Sequence, residues 1–414
     1  MRSEDILELI ANGENSAVEF KRDDLRPEQL AREIVALANF QGGRVLLGVE
    51  DDGTISGIQR PDLEHWVMDT VFSMHVHPLI LPFYEEVAMP DGRRVAIVSV
   101  TQGTSKPYVL RHNGREDIYI RVGSTSRLAT REQQARLFES GGLLHAELLP
   151  VSGTRLSSLD QARLSDYLVN YAGDDAPPDS EAGWLERLTG LGLMVAQDGS
   201  APVCTIAGLV LFGRWPRHSL RQAGIRWMSF AGPDMDYQAQ DDTEIDGPLV
   251  PLWPSEPGQG KRLLEHGLVD RVLDRMKPFI SRDNNFLTDG TRRESVAFYA
   301  RDALREAILN ALIHRDWTRA LEVEIVNYVD RITITSPGAL TNSMTLEKML
   351  AGQRSPRNPI ITEIMRDYRF VDMRGMGVRR KIVPLTRQWS GRDAEFEATE
   401  DFVRVTLPSA PRPA

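Results

Sequence analysis

Asp302, Glu306, Asn310 and His314 recur at intervals of four. At 3.6 residues per turn that interval keeps one helix face, while Leu304, Ile308 and Leu312 fall on a roughly opposite one. A wet face of an amphipathic helix accounts for the charges, but Asn310 fits it poorly. Asparagine competes for backbone hydrogen bonds inside a helix, and here it stands among strong helix formers. An amide oxygen at that place can ligate Mg²⁺, and a carboxylate one turn earlier can orient a water for attack on a γ-phosphate. Farther on, after the turn Ser336-Pro337-Gly338, the run Arg374-Gly375-Met376-Gly377-Val378 sets two glycines before an expected helix. Backbone N–H groups at such a start can receive phosphate.

A second constellation lies near the start. Glu14 and Glu19 precede Lys21-Arg22, and Glu50, Asp51 and Asp52 cluster at an expected strand end. Three carboxylates meeting in a basic groove could hold Mg²⁺ or Mn²⁺ for phosphodiester cleavage. A solvated turn of charges with a helix-capping acid explains the same residues. Lys21, Arg22, Arg44, Lys106, Arg121 and Arg127 are the cations that could reach phosphate around the Gly42-Gly43 turn. Tyr108 and Tyr119 are aromatic surfaces for unpaired bases, or core residues of strands.

The elements that must position these groups follow from periodicity and breakers. A helix is expected over 27–39, opened by Pro27 and closed by Gly42-Gly43, then a buried strand over 44–49 and a second strand through Ile55 and Ile58. Pro90-Asp91-Gly92 joins strands 85–88 and 95–100; a strand over 119–123 and a helix over 130–139 complete an α+β domain ending near residue 145. Residues 150–215 read as helical and then strand-like through the apolar run 207–212, which suits a small winged-helix-like connector. From Gly232 to Gly260 the prolines are too many for a central strand or helix. A helix over 295–314, strands over 322–328 and 331–335, and a last strand over 402–408 form an α/β sandwich.

Composition bounds the rest. A chain of 414 residues exceeds a single core and implies two or three domains. Its 49 Lys and Arg against 59 Asp and Glu, net −10, argue against a uniformly basic nucleic-acid coat. Over 351–390, however, nine basic residues stand against three acids, a basic stretch able to clasp a triphosphate or a nucleic-acid backbone. Cys204 alone excludes an internal disulfide and a cysteine-based metal cluster within the chain. No apolar run reaches the length of a membrane span and Met1-Arg2-Ser3-Glu4-Asp5 is no signal-peptide start, so a cytoplasmic setting is expected.

Two ordered sets of motifs resemble known families. Glu14-Asn15-Ser16 with Glu19-Phe20-Lys21, Ile34-Val35-Ala36-Leu37-Ala38-Asn39 with Gly42-Gly43, Gly48-Val49-Glu50-Asp51-Asp52-Gly53, Lys106-Pro107-Tyr108 and Tyr119-Ile120-Arg121-Val122-Gly123-Ser124 resemble the AlbA-like domain of Schlafen proteins and of bacterial Schlafen-related regulators. The resemblance implies nucleic-acid binding, of DNA rather than RNA. In some Schlafen proteins the region is a metal-dependent RNA-cleaving site, whose carboxylates would be Glu14, Glu19 and Glu50 or Asp51. Glu50 stands where an aspartate is more usual.

Arg305-Glu306-Ala307 with Asn310-Ala311-Leu312-Ile313-His314-Arg315-Asp316, Asp330 through Gly338, Ser355-Pro356-Arg357-Asn358-Pro359, Arg374-Gly375-Met376-Gly377 and Val405-Thr406-Leu407-Pro408 are similar to the GHKL ATPase family in a divergent form. That similarity implies Mg-ATP: Asn310 for the metal, Glu306 as general base, Gly375 and Gly377 for phosphates, and His314, Ser336 and Gly338 as further nucleotide contacts. The aspartate that usually reads adenine is missing, with Thr335 or Ser336 in its turn. Related ATPases often dimerise, so a homo-oligomer is expected. The whole implies an α+β chain with an AlbA-like domain over 1–145, a winged-helix-like connector over 146–290 and a GHKL-type α/β sandwich over 291–414. Its function would be ATP-responsive nucleic-acid binding in transcription regulation or defence; the alternatives are a metal-dependent nuclease controlled by ATP and a scaffold with vestigial sites.

Overall fold

Leu30, Ile34, Leu37 and Ala38 become the buried face of helix Pro27–Asn39, with Pro27 in its first turn. The strand Gly42–Leu47 starts almost at once. Gly42 allows this: its φ is +82°, and a Cβ there would stand 2.5 Å from the Val100 carbonyl oxygen. These elements come from a computed structural model that describes residues 1–197, 199–253, 262–284, 294–341, 344–353, 355–371 and 376–411. It divides into two units, Met1–Leu144 and His145–Ala414.

The first unit is built on a four-stranded sheet in the order Val18–Lys21, Gly42–Leu47, Arg94–Thr101, Phe83–Ala88, the first pair parallel and the others antiparallel. Alternation splits its side chains into two cores. Val45, Leu47, Ala96 and Val98 pack under helix Pro27–Asn39, and Val18, Phe20, Leu46 and Ile97 pack with Ile6 of helix Ser3–Ala11. The hairpin Tyr119–Val122 with Thr125–Leu128 is tied to the end of helix Pro27–Asn39 by Asn39, whose Nδ2 donates to the carbonyls of Tyr108 and Tyr119 at 2.8 and 2.9 Å. The second strand expected through Ile55 and Ile58 does not form. Only a bridge links Val49 to Ile55, because the N–H groups of Ser56 and Gly57 converge on the Gly48 carbonyl instead of continuing a ladder.

The second unit centres on a six-stranded sheet in the order Asp241–Ile245, Ile225–Ser229, Val323–Asn327, Arg331–Pro337, Phe402–Pro408, Glu395–Ala398. Ile225–Ser229 runs parallel to Val323–Asn327, and the other pairs are antiparallel. Two of these strands come from 146–290, so that stretch shares one hydrophobic core with the C-terminal strands: Leu164, Trp227, Leu268, Ile308 and Leu407 belong to the same cluster.

Three expectations change here. The apolar run 207–212 is a helix, Ile206–Phe212, every residue of which is buried. A continuous apolar run carries no period, and Thr205 decides the matter by accepting the Gly208 N–H at its side chain, as a helix N-cap does. The helix expected from 295 begins at Arg301, since Glu294–Ala297 is a strand paired with Ser281–Asn284. A strand, Asp241–Ile245, lies inside the proline-rich stretch; it occupies a sheet edge, and Pro248 and Pro251 follow it rather than interrupt it.

Candidate functional site

Helix Arg301–Ile313 lies over the strands Arg331–Pro337 and Phe402–Pro408 of the six-stranded sheet. Beside it a cavity of about 490 Å³ opens, a volume in the range that takes small-molecule ligands. Glu306, Asn310 and His314 of the four-residue stripe line it, together with Ser336, Gly338 and Gly377. Period two of the strand puts Ile334 beneath the same cavity as Ser336, and Val405, Leu340 and Ile382 add to an apolar lining. Helix Pro359–Asp367 contributes Thr362 and Arg366. Gly375 lies outside the described residues.

The polar groups differ in what they have left to offer. Asn310 is half-buried, and its side chain has no protein partner among the described residues. The His314 side chain is likewise without a hydrogen bond among the described residues; the residue is exposed on the cavity wall yet enclosed by enough protein that lost hydration, with the Arg357 charge adding, lowers its pKa to about 4. It is therefore a neutral donor and acceptor at neutral pH. Ser336 is buried and its Oγ donates to the Ala311 carbonyl at 2.7 Å, tying strand to helix and leaving lone pairs. Gly338 has φ +107° and backs onto the buried Asp316, which faces the Arg357 guanidinium at 3.2 Å.

Glu306 is buried, and its Oε2 accepts from Lys381 Nζ at 2.9 Å. In the sequence Lys381 counts only toward the net charge of 351–390, although it follows Gly377 by four residues and so by one helical turn. Gly377 itself touches this carboxylate, because a Cβ there would stand 1.8 Å from Glu306 Oε1. Gly377→Ala is therefore expected to push the Glu306 carboxylate aside and cost about 1–3 kcal/mol, the usual range for overpacking. Urea denaturation measures it, and a midpoint equal to the wild type would contradict the contact.

The N-terminal constellation has another character. Glu19 and Lys21 alternate onto the sheet face covered by helix Pro27–Asn39, where Lys21 Nζ lies 2.7 Å from Glu19 Oε1, 3.9 Å from Glu14 and 3.7 Å from Asp51. Burial opposes the Lys21 charge, but Glu19 and the neighbouring carboxylates outweigh it and raise the ammonium's pKa. Glu14 is shifted up as well, chiefly by burial, although its Oε1 accepts the Phe20 N–H at 2.9 Å. Arg121 NH1 meets Glu19 Oε2 at 2.8 Å and Glu33 Oε2 at 3.3 Å, and its NH2 donates to the Asn15 carbonyl at 2.6 Å.

Two expectations are corrected by this arrangement. Among the described residues no group of three His, Cys, Asp or Glu side chains could hold a metal ion. The divalent cation expected at Glu14, Glu19 and Glu50 or Asp51 does not fit, because the Lys21 ammonium is already the cation among these carboxylates, and Glu50 turns instead to Arg22 at 3.6 Å. Nor is Arg121 a phosphate contact: its side chain is 0% exposed and neutralises buried acids. Lys106 Nζ donates to the Phe40 carbonyl at 2.8 Å, at the end of helix Pro27–Asn39. Of the other expected cations, Arg22, Arg44 and Arg127 are exposed.

Residues 14–130 match the family model described as "Schlafen, AlbA_2", and residues 321–407 match the one described as "Putative ATP-dependent DNA helicase recG C-terminal". The first unit thus carries a Schlafen AlbA_2 domain, a nucleic-acid-binding type, and the second carries a RecG-type, ATPase-like domain. The second match begins after the helix that bears Glu306 and Asn310 and includes Ser336, Gly338 and Gly377. Among solved structures, the DIP2311 protein from Corynebacterium diphtheriae is 22% identical over 99% of this chain and 80% of its own, with a TM-score of 0.42. The N-terminal domain of a RecG-related protein from Nitrosomonas europaea is 24% identical over 31% of this chain and 94% of its own, with a TM-score of 0.24. No curated protein matches.

Proposed function

We propose that this chain, with its AlbA_2 and RecG-type domains, is an ATP-responsive DNA-binding regulatory or defence protein whose second unit binds Mg-ATP in the manner of a GHKL domain. The observation that carries the reading is the convergence of Glu306, Asn310, His314, Ser336, Gly338 and Gly377 on one cavity, from positions as far apart in sequence as 306 and 377. The donor set fits the ligand. Asn310 brings an amide with no partner among the described residues, as a metal ligand requires, and the apolar lining around Ile334 suits a base. Lys381 adds a cation at the side where Gly377 approaches Glu306. Mg-ATP, when bound, supplies the phosphoanhydride and the charge that Asn310 and Lys381 would meet.

Glu306 would act as the base that orients water, but its Oε2 is already occupied by the Lys381 ammonium at 2.9 Å. Slow hydrolysis follows, and nucleotide occupancy rather than turnover becomes the signal. The exposed Arg22, Arg44 and Arg127 of the first unit are the groups proposed to meet DNA phosphates. A cytoplasmic homo-oligomer belongs to the same reading. No described helix is long and apolar enough to cross a membrane.

The test is thermal. Mg-ATP at millimolar concentration is expected to raise the melting temperature of the full chain while adenosine is not, because ligand that binds only the folded state stabilises it by mass action. A melting curve that Mg-ATP leaves unmoved would sink the nucleotide reading.

A further inference from the structure

Helix Pro359–Asp367 forms one wall of the cavity, and its N-terminus is held in an unusual way. Its N-cap residue, Asn358, makes no side-chain cap. Fully buried, Asn358 instead donates from Nδ2 to the carbonyls of Ile313 and Arg315 at 2.7 and 2.9 Å. Those carbonyls stand at the end of helix Arg301–Ile313, so the two cavity walls are bonded to each other.

The cap is supplied by a residue more than two hundred positions away. Glu147, 0% exposed, accepts the Ile360 N–H at Oε1 and the Ile361 N–H at Oε2, at 2.8 and 2.9 Å. Both lone N–H groups of the first turn thus end on one buried carboxylate. Glu147 sits on the turn Ala146–Leu148, three residues beyond Leu144, where the first unit ends. At the helix's other end Tyr167 OH donates to Asp367 Oδ2 at 2.9 Å, and the ring of Tyr171 lies 4.1 Å from that of Tyr368. Gly192 leaves no slack alongside, since a Cβ there would stand 2.5 Å from Ile360 Cδ1.

We propose that helix Pro359–Asp367 transmits occupancy of the cavity to the chain segment joining the two units, with Glu147 as the grip. The inference rests on the nucleotide reading and adds its route of regulation. A ligand that touches Asn310 or Thr362 acts on walls joined through Asn358. Any displacement of the second wall must either carry Glu147 along or leave a buried carboxylate and two N–H groups without partners. Packed elements joined by such bonds move as a body, so the segment after Leu144 responds. By reciprocity, whatever the first unit does to that segment changes nucleotide affinity by the same factor.

Hydrogen exchange on the full chain, with and without a non-hydrolysable ATP analogue and Mg²⁺, tests this directly. Amides at 145–149 are expected to change their exchange rate about tenfold on nucleotide addition, a typical coupling between sites. In Glu147→Gln the analogue should still raise the melting temperature, while the response at 145–149 is lost. Tyr167→Phe, which keeps the ring stack and removes one hydrogen bond, should retain the response in reduced form and serves if the Gln variant fails to fold. A wild type that gains melting temperature yet shows unchanged exchange at 145–149 overturns the proposal and leaves the nucleotide reading standing. So does a Glu147→Gln variant with the full response. Absence of any melting shift in the wild type removes the nucleotide reading, and the proposed transmission with it.

Discussion

Asn310→Ala is expected to abolish the rise in melting temperature that Mg-ATP gives the wild type, while leaving the nucleotide-free melt unchanged or slightly higher. The two halves of that result have separate causes. Without ligand, the Asn310 amide has no partner to lose among the described residues, and alanine is the better helix former by about 0.5 kcal/mol. With ligand at a hundredfold excess over its dissociation constant, the wild type gains about 2.7 kcal/mol, and the variant, lacking the amide oxygen for the metal, does not. A purely structural Asn310 would behave oppositely, losing stability in both conditions. An Asn310→Ala protein that keeps the full nucleotide shift would separate the cavity from Mg²⁺ and remove the residue on which the GHKL comparison depends.

Arg121→Ala should lower the stability of the first unit by about 3–5 kcal/mol, the cost of breaking a buried ion pair on one side. The guanidinium is wholly buried and serves Glu19 and Glu33 together, with Ser126 and the Asn15 carbonyl as further acceptors. Alanine leaves two buried carboxylates with less positive charge. Lys21 still answers Glu19 and Arg32 still answers Glu33 at 2.8 Å, so Glu33→Gln in the same chain should recover part of the loss. Urea denaturation at pH 7 reads both the loss and its partial recovery. Near-wild-type stability combined with weakened DNA binding would mean that Arg121 is a phosphate contact after all.

Much of the candidate cavity is legible in the amino-acid sequence, and the reason is local. A period of four in Glu306, Asn310 and His314 needs only helical geometry to make a common face, and Gly377 declares itself by type. Helix Pro27–Asn39, opened by its proline and closed by paired glycines, is readable to its ends for the same reason. Where local rules are silent, the sequence misleads. The run 207–212 has no period, so only the Thr205 cap separates helix from strand, and the prolines after residue 245 hide an edge strand that they do not interrupt.

Partners distant in sequence lie beyond the reach of such rules. Lys21 and Arg121 are recognisable as cations near carboxylates, but whether such a charge faces phosphate or a buried acid depends on contacts 88 and 102 residues apart, Arg121 with Glu33 and with Glu19. Glu147 carries no motif, and its role comes entirely from the helix start that the fold brings to it across 213 residues. Residue type and local spacing therefore determined which side chains share a face and which chemistry they can perform. Only the tertiary structure decided which of them remain free to perform it, because burial against a distant partner is what converts a catalytic-looking carboxylate or a phosphate-seeking cation into a structural one.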